Sequence, residues 1–274
     1  MLDALAARVP TRKRIALVVA HPDDETIAAG ASLQLLTGLL LIHVTDGAPR
    51  TLDDVARAGF ASPADYAATR RAELQAALAV AGCSFAAVEL GIPDQDASLY
   101  MPVIARDLAR LFAQHGTEAV ITHAYEGGHP DHDATALAAH LAARGRVFEF
   151  PGYHAAPDGT FTTGRFLPGP QAITVALTSA EQARKRAMFA CFRTQAEVLA
   201  GFGTAAEAFR PAQPDFRNPP HPGALNYERW GWEMTSTRWR ALAAPLLTGL
   251  ANPGLANPAL TNPALTNMEP PCAA

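Results

Sequence analysis

The run Ile15-Ala16-Leu17-Val18-Val19-Ala20 empties directly into His21-Pro22-Asp23-Asp24-Glu25, and its reading decides the fold. An uninterrupted apolar run of this length reads as a parallel strand covered on both faces. Proline followed by acids is what the first turn of a helix looks like, because proline needs no amide partner there and the helix dipole favours negative charge. The stretch is therefore a strand passing through a short loop into a helix.

The same grammar extends outward. Leu39–Val44, Ala86–Leu90, Ala119–Thr122 and Val147–Phe150 are further short apolar runs with strand composition. Between them, Ser62-Pro63 supplies a capping serine and a first-turn proline for a helix that stops at Gly82. A second helix runs from Pro102 to about Gln114, with Ile104, Leu108, Leu111 and Phe112 on one face. Strands alternating with helices predict an α/β fold: a Rossmann-like, mostly parallel sheet flanked by helices.

After residue 150 prolines gather, fifteen of the 22 lying in the last 124 residues, so long regular elements should be fewer. Ala172–Leu177 reads as one more strand. Ser179-Ala-Glu-Gln182 has the spacing of a capping box opening a helix that carries Met188, Phe189 and Phe192. Trp230, Trp232 and Trp239 crowd into ten residues, more in keeping with a packed cap or interface than with a sugar platform. The Asn-Pro repeat near the end has a five-residue period, too short for a solenoid and too proline-rich for a helix. The expectation is a single domain over 1–245, with a core over 14–150 completed by 151–245, and a loosely ordered tail over 246–274.

Composition narrows the function. With 274 residues, 49% hydrophobic, the chain can bury a full core. A net charge of −4 without a basic stripe argues against a nucleic-acid partner. No apolar run is long enough for a membrane span. Arg12-Lys13-Arg14 before the apolar run only imitates a signal peptide, lacking a proper hydrophobic region and cleavage site. Cys83, Cys191 and Cys272 are odd in number and widely spaced, which suits reduced thiols in a cytoplasmic protein.

The chemistry lies in a repeated phrase. His21-Pro22-Asp23 follows the first strand, and Gly128-His129-Pro130-Asp131-His132-Asp133 follows the Ala119–Thr122 strand. In a parallel sheet such junctions share one edge, and ligands bind in the crevice outside the carboxyl ends of the strands. Proline biases His21 toward extended backbone pointing into that crevice, and Asp24 returns to the same side three residues later. His129 and His132 are about one helical turn apart, so both imidazoles can reach one point. Capping alone explains either acid cluster, but not three histidines gathered with them. Nitrogen and oxygen donors of this kind suit Zn²⁺, with Fe²⁺ the less favoured occupant.

The pair "AHPDDE" and "GHPDH", set in this α/β pattern, resembles the LmbE-like family of metal-dependent N-deacetylases, which includes the N-acetylglucosaminyl-phosphatidylinositol (PIG-L) de-N-acetylases. The resemblance covers residues 14–150 and extends to about Arg240; Ala28 stands where the family often has glycine. It implies that His21, Asp24 and His132 are the metal ligands, with a coordination position left for water. It implies that Asp23 is the general base, that protonated His129 stabilises the oxyanion or protonates the leaving amine, and that Asp131 orients a histidine. It also implies that an arginine at Arg70 contacts the sugar, where the bland alternative is a solvated helix face shared with Arg71 and Glu73. Asp94 is a candidate for a sugar hydroxyl or a turn, Tyr125 for a mobile loop over the acyl group, and His154 a weaker contact. Asp46-Gly47 reads as a turn shaping the rim; His43, His115, His123, His140 and His221 read as structural or surface residues.

The expected reaction is deacetylation of an N-acetylated amino sugar or glycoconjugate. The alternatives are an amidase on a larger sugar–thiol conjugate and a non-catalytic metal- or carbohydrate-binding module. A nucleotide-binding oxidoreductase is disfavoured, since the first strand is followed by acids and not by a glycine-rich phosphate loop.

Overall fold

Ile15, Leu17 and Val19 enter the core on one face of the sheet and Ala16 and Val18 on the other, all fully buried. That two-sided burial is why the run carries no polar residue. The computed structural model describes residues 1–83, 85–156 and 160–249; most of the Asn-Pro repeat lies outside the described residues. Its strands are β1 (Ile15–Val19), β2 (Leu40–Pro49), β3 (Ala86–Asp94), β4 (Ala119–His123), β5 (Arg146–Phe150), β6 (Tyr153–Ala155), β7 (Phe161–Thr163), β8 (Ile173–Ala176) and β9 (Ala206–Pro211). Its α-helices are α1 (Leu2–Ala6), α2 (Asp24–Ala29), α3 (Leu52–Arg57), α4 (Pro63–Ala81), α5 (Met101–His115), α6 (Pro130–Ala142), α7 (Ser179–Phe189), α8 (Ala196–Leu199), α9 (Asn226–Arg229) and α10 (Ser236–Leu247).

Seven strands form one sheet in the order β3-β2-β1-β4-β5-β9-β8, the first five parallel, β9 antiparallel to β5, and β8 antiparallel to β9. From β1 the sheet grows in both directions, toward β2 on one side and β4 on the other. The crevice between the carboxyl ends of β1 and β4 is therefore a topological switch point. The protein is a mostly parallel α/β domain, as the alternation of elements predicts. Among the described residues no helix is long and apolar enough to cross a membrane.

Local rules set the helices. Ser62 caps α4 by accepting the Asp65 amide, and Gly82 ends it in the left-handed conformation. One reading is corrected by a residue: the capping box of α7 is Thr178 with Glu181, not Ser179 with Gln182. Thr178 has the extended backbone a cap needs, and its hydroxyl and amide both reach the Glu181 carboxylate. A second correction concerns Asp46-Gly47, which lies within the irregular end of β2 and not in a separate turn. The short antiparallel strands β6, β7 and β9 carry no periodic signal and were not expected.

A buried ion pair ties α2 to the far side of the sheet. Lys185 of α7 donates to Glu207 of β9 at 2.8 Å and to the Ile27 carbonyl at 2.9 Å. Glu207 also accepts the amides of Ala31 and Ser32 and the Ser32 hydroxyl. Lys185→Met strands that carboxylate, and we expect a stability loss of about 3–5 kcal/mol. Urea titration checks this; an unchanged midpoint would show that the pair anchors nothing.

Candidate active site at the sheet edge

His21 leaves β1 and lies buried between two clusters of donors. Its Nδ1 is 3.2 Å from His132 Nε2 and 3.3 Å from Asp24 Oδ2, and His132 Nε2 is 3.4 Å from Asp24 Oδ1. Bonds of ~2.0–2.1 Å to a tetrahedral zinc place neighbouring ligand atoms about 3.3 Å apart. The three side chains thus present nitrogen and oxygen atoms at the spacing a small divalent ion requires. The His21 amide also donates to Asp24 Oδ2 at 2.7 Å, which locks the carboxylate back toward the strand end. The neighbouring imidazoles of His132 and His123 hold the Asp24 carboxyl well below the usual range, overcoming the burial that pushes it up.

The other nitrogen of His21 serves a different role. Nε2 faces Asp94 Oδ1 at 3.1 Å and Asp131 Oδ2 at 3.3 Å. A carboxylate behind a ligating imidazole fixes its tautomer and orientation. Asp131 is itself fixed by the amides of Gln95 and Ala97, at 2.6 and 3.0 Å. Asp131 is therefore set to orient His21; its distance to His129 Nδ1 is 4.0 Å. His21, Asp94, His129 and Asp131 form a second grouping of donor atoms close enough for a metal.

His129 caps α6, and its Nδ1 accepts the Asp131 amide at 3.1 Å. Its proton is thereby assigned to Nε2, which lies 3.7 Å from Asp94. Burial, reinforced by His21, pushes the His129 pKa well below the ordinary value. Gly128 makes the approach possible: a Cβ there would sit 1.8 Å from the Tyr153 carbonyl oxygen.

Asp23 has φ +147°, a conformation that side chains rarely adopt and that costs about 1–3 kcal/mol. Arg70 does not take the solvated alternative: it is buried at the cavity wall and donates to Asp23 Oδ2 at 3.2 Å, the Pro22 carbonyl at 2.8 Å and the Gly47 carbonyl at 3.2 Å. Gly47 is required there, with φ +67° and space so tight that a Cβ would lie 3.0 Å from Arg70 Cζ. Burial pushes the Asp23 pKa up to about 8 against the opposing pull of Arg70. Arg71 takes the solvated place with Glu89, while Glu73 holds the Thr194 amide and hydroxyl.

These groups line a cavity of about 340 Å³, with Arg70, Asp94, Tyr153, Trp230 and Trp232 on its walls. Tyr125 is not part of it: its hydroxyl donates to the Asn218 carbonyl and its ring packs on Phe216 and Trp239. His154 also turns away, its ring nitrogens near the Ala155 and Arg165 carbonyls. The neighbouring Tyr153 faces the cavity instead, as alternation along β6 dictates. Trp239 belongs to the core, whereas Trp230 is 45% exposed at the mouth and Trp232 meets His129 edge-on at 4.9 Å.

His123, expected to be structural, ends β4 inside the site. It stacks on His132 with ring centroids 4.0 Å apart, accepts the Ala20 amide at 3.0 Å and lies 3.4 Å from Asp24. Its place at the carboxyl end of the strand beside β1 is the signal that would have found it. Glu126 is a second missed residue, buried with Oε2 accepting the Gly152 amide and Oε1 without a partner.

Residues 16–143 match the PIG-L family model, described as GlcNAc-PI de-N-acetylase. Among solved structures, the chain is similar to the A40926 pseudoaglycone deacetylase, at 23% identity and TM-score 0.56 over 73% of this chain and 97% of that one. It is likewise similar to a deacetylase of the teicoplanin biosynthesis pathway, at 21% identity and TM-score 0.56 over 72% and 97%. A third is the 4-carboxy-2-hydroxymuconate hydratase of Pseudomonas putida KT2440, at 19% identity and TM-score 0.50 over 74% and 97%. A comparison with curated proteins gives no match. One architecture thus carries both deacetylase and hydratase names, so the reaction has to be argued from the site.

Proposed function

We propose that this protein is a metal-dependent N-deacetylase that hydrolyses the acetamide of an N-acetylated amino sugar or its conjugate. The observation that carries this reading is the 3.2–3.4 Å triangle of His21, Asp24 and His132 beside Asp23 and His129. The donor set fits Zn²⁺, with Fe²⁺ the less favoured occupant, and leaves room for water. A bound divalent ion would polarise the amide carbonyl and acidify water toward a pKa of ~7.

The chain's own residues do the rest. Asp23 is the general base; its buried carboxylate takes the proton of the attacking water, while Arg70 holds the side chain on the cavity wall. His129 Nε2–H donates to charge developing on the carbonyl oxygen, and the same group reaches the departing nitrogen. Asp131 acts through His21, keeping its Nε2 tied and its Nδ1 turned toward Asp24 and His132. Asp94 and Arg70 are the substrate contacts we assign, since both combine charge with a place on the wall. Trp230 and Trp232 supply aromatic surface from the 151–245 portion, which completes the pocket. Free thiols at Cys83 and Cys191 accord with a cytoplasmic setting.

The test is amine release from a panel of N-acetyl sugars and larger conjugates by metal-free and Zn²⁺-reloaded protein. Release only after reloading is expected. Hydrolysis confined to large conjugates would move the assignment to the conjugate amidase. Binding without release from any substrate would leave a non-catalytic module.

A further inference from the structure

The established contacts of Asp23 leave its backbone unexplained, because Arg70 grips the carboxylate but not the amide. The amide N–H donates instead to Glu25 Oε2 at 3.1 Å. Glu25 is completely buried, and the same oxygen lies 3.0 Å from His43 Nε2 on β2. Thr26 Oγ1 donates to the other oxygen at 2.5 Å. His43 Nδ1 is buried without a partner, so the proton sits on Nε2 and points at Glu25. His43 pairs in register with Val19, two residues before His21. The result is a buried relay from the centre of the sheet to the strained amide of Asp23.

We propose that His43 and Glu25 are positioning residues that hold Asp23 in its strained positive-φ conformation, so that its carboxylate faces the cavity. This rests on the reading that Asp23 is the general base. Glu25 cannot serve as an ordinary helix-dipole acid, since its oxygens are spent on Asp23, Thr26 and His43 within the core. Without that grip, the Asp23 amide is free to relax toward a common backbone conformation and carry the carboxylate off line. The pair touches neither substrate nor the candidate metal donors, so its loss should appear in turnover and not in binding.

The experiment is a double-mutant cycle on the Zn²⁺-loaded protein with an N-acetyl sugar it hydrolyses, reading kcat, KM and bound metal. His43→Leu, which keeps an apolar filling, should lower kcat about tenfold, as release of backbone strain would. KM should stay within about threefold and bound metal should be retained. His43→Gln, which returns an N–H near the former Nε2, should recover kcat to within about threefold of the parent. In an Asp23→Asn background, His43→Leu should change kcat by less than about twofold, because the group being positioned is gone. Glu25→Gln, able to accept the Asp23 amide, gives the same comparison from the other end. Equal losses in both backgrounds, or a glutamine no better than leucine, would overturn the positioning role while leaving the hydrolase intact. An Asp23→Asn variant with unchanged turnover would instead exclude Asp23 as the base, and with it the reading on which this proposal rests.

Discussion

Asp23→Asn is expected to keep the bound metal and to lower turnover by ~10²–10⁴, the loss that follows removal of a general base. Asparagine preserves the shape and still offers Arg70 an oxygen acceptor, so the 3.2 Å contact has a substitute. What disappears is the ability to take a proton from water in a buried site. Burial raises the proton affinity of that carboxyl against the opposing pull of Arg70. Steady-state kinetics with elemental analysis of the same sample decides the matter. Unchanged turnover would exclude Asp23 from the mechanism.

His132→Ala is expected to take the bound metal from about one ion per chain to almost none, because one of three protein ligands is lost. His21 makes this result informative in either direction. Its Nδ1 belongs to the triangle with Asp24 and His132, whereas its Nε2 belongs to the grouping with Asp94, His129 and Asp131. If the ion resides in the second grouping, His132→Ala retains it and Asp94→Ala loses it. Both variants, weighed by elemental analysis after dialysis, therefore locate the ion and do more than confirm its presence. Full retention in His132→Ala would break the ligand assignment.

Much of this was legible because some residues have only one comfortable place. The apolar run into His21-Pro22 marked β1 and the approach to α2, which opens at Asp24 with Pro22 still in the loop, and Ser62 with Gly82 bracketed α4 to the residue. The convergence of His21, Asp24, His129 and His132 followed from sheet topology alone. Longer-range choices were not legible. Whether Tyr153 or His154 faces the cavity depends on the register of a three-residue strand, and a slip of one residue reverses the answer. Arg70 looks like half of a solvated Arg-Arg pair until β2 bends at Gly47 and places two carbonyls beside it. Glu25 reads as a helix-start acid, and only the neighbouring strand reveals His43 behind it.

The distribution of the cavity's walls has a consequence for how such a protein diversifies. Every group assigned to bond breaking comes from the parallel half, before residue 133, while Tyr153, Trp230 and Trp232 arrive from the later, proline-rich portion. Grafting a different hairpin or tryptophan segment onto the same five parallel strands would alter which molecules are admitted and leave the proton-handling apparatus as it is.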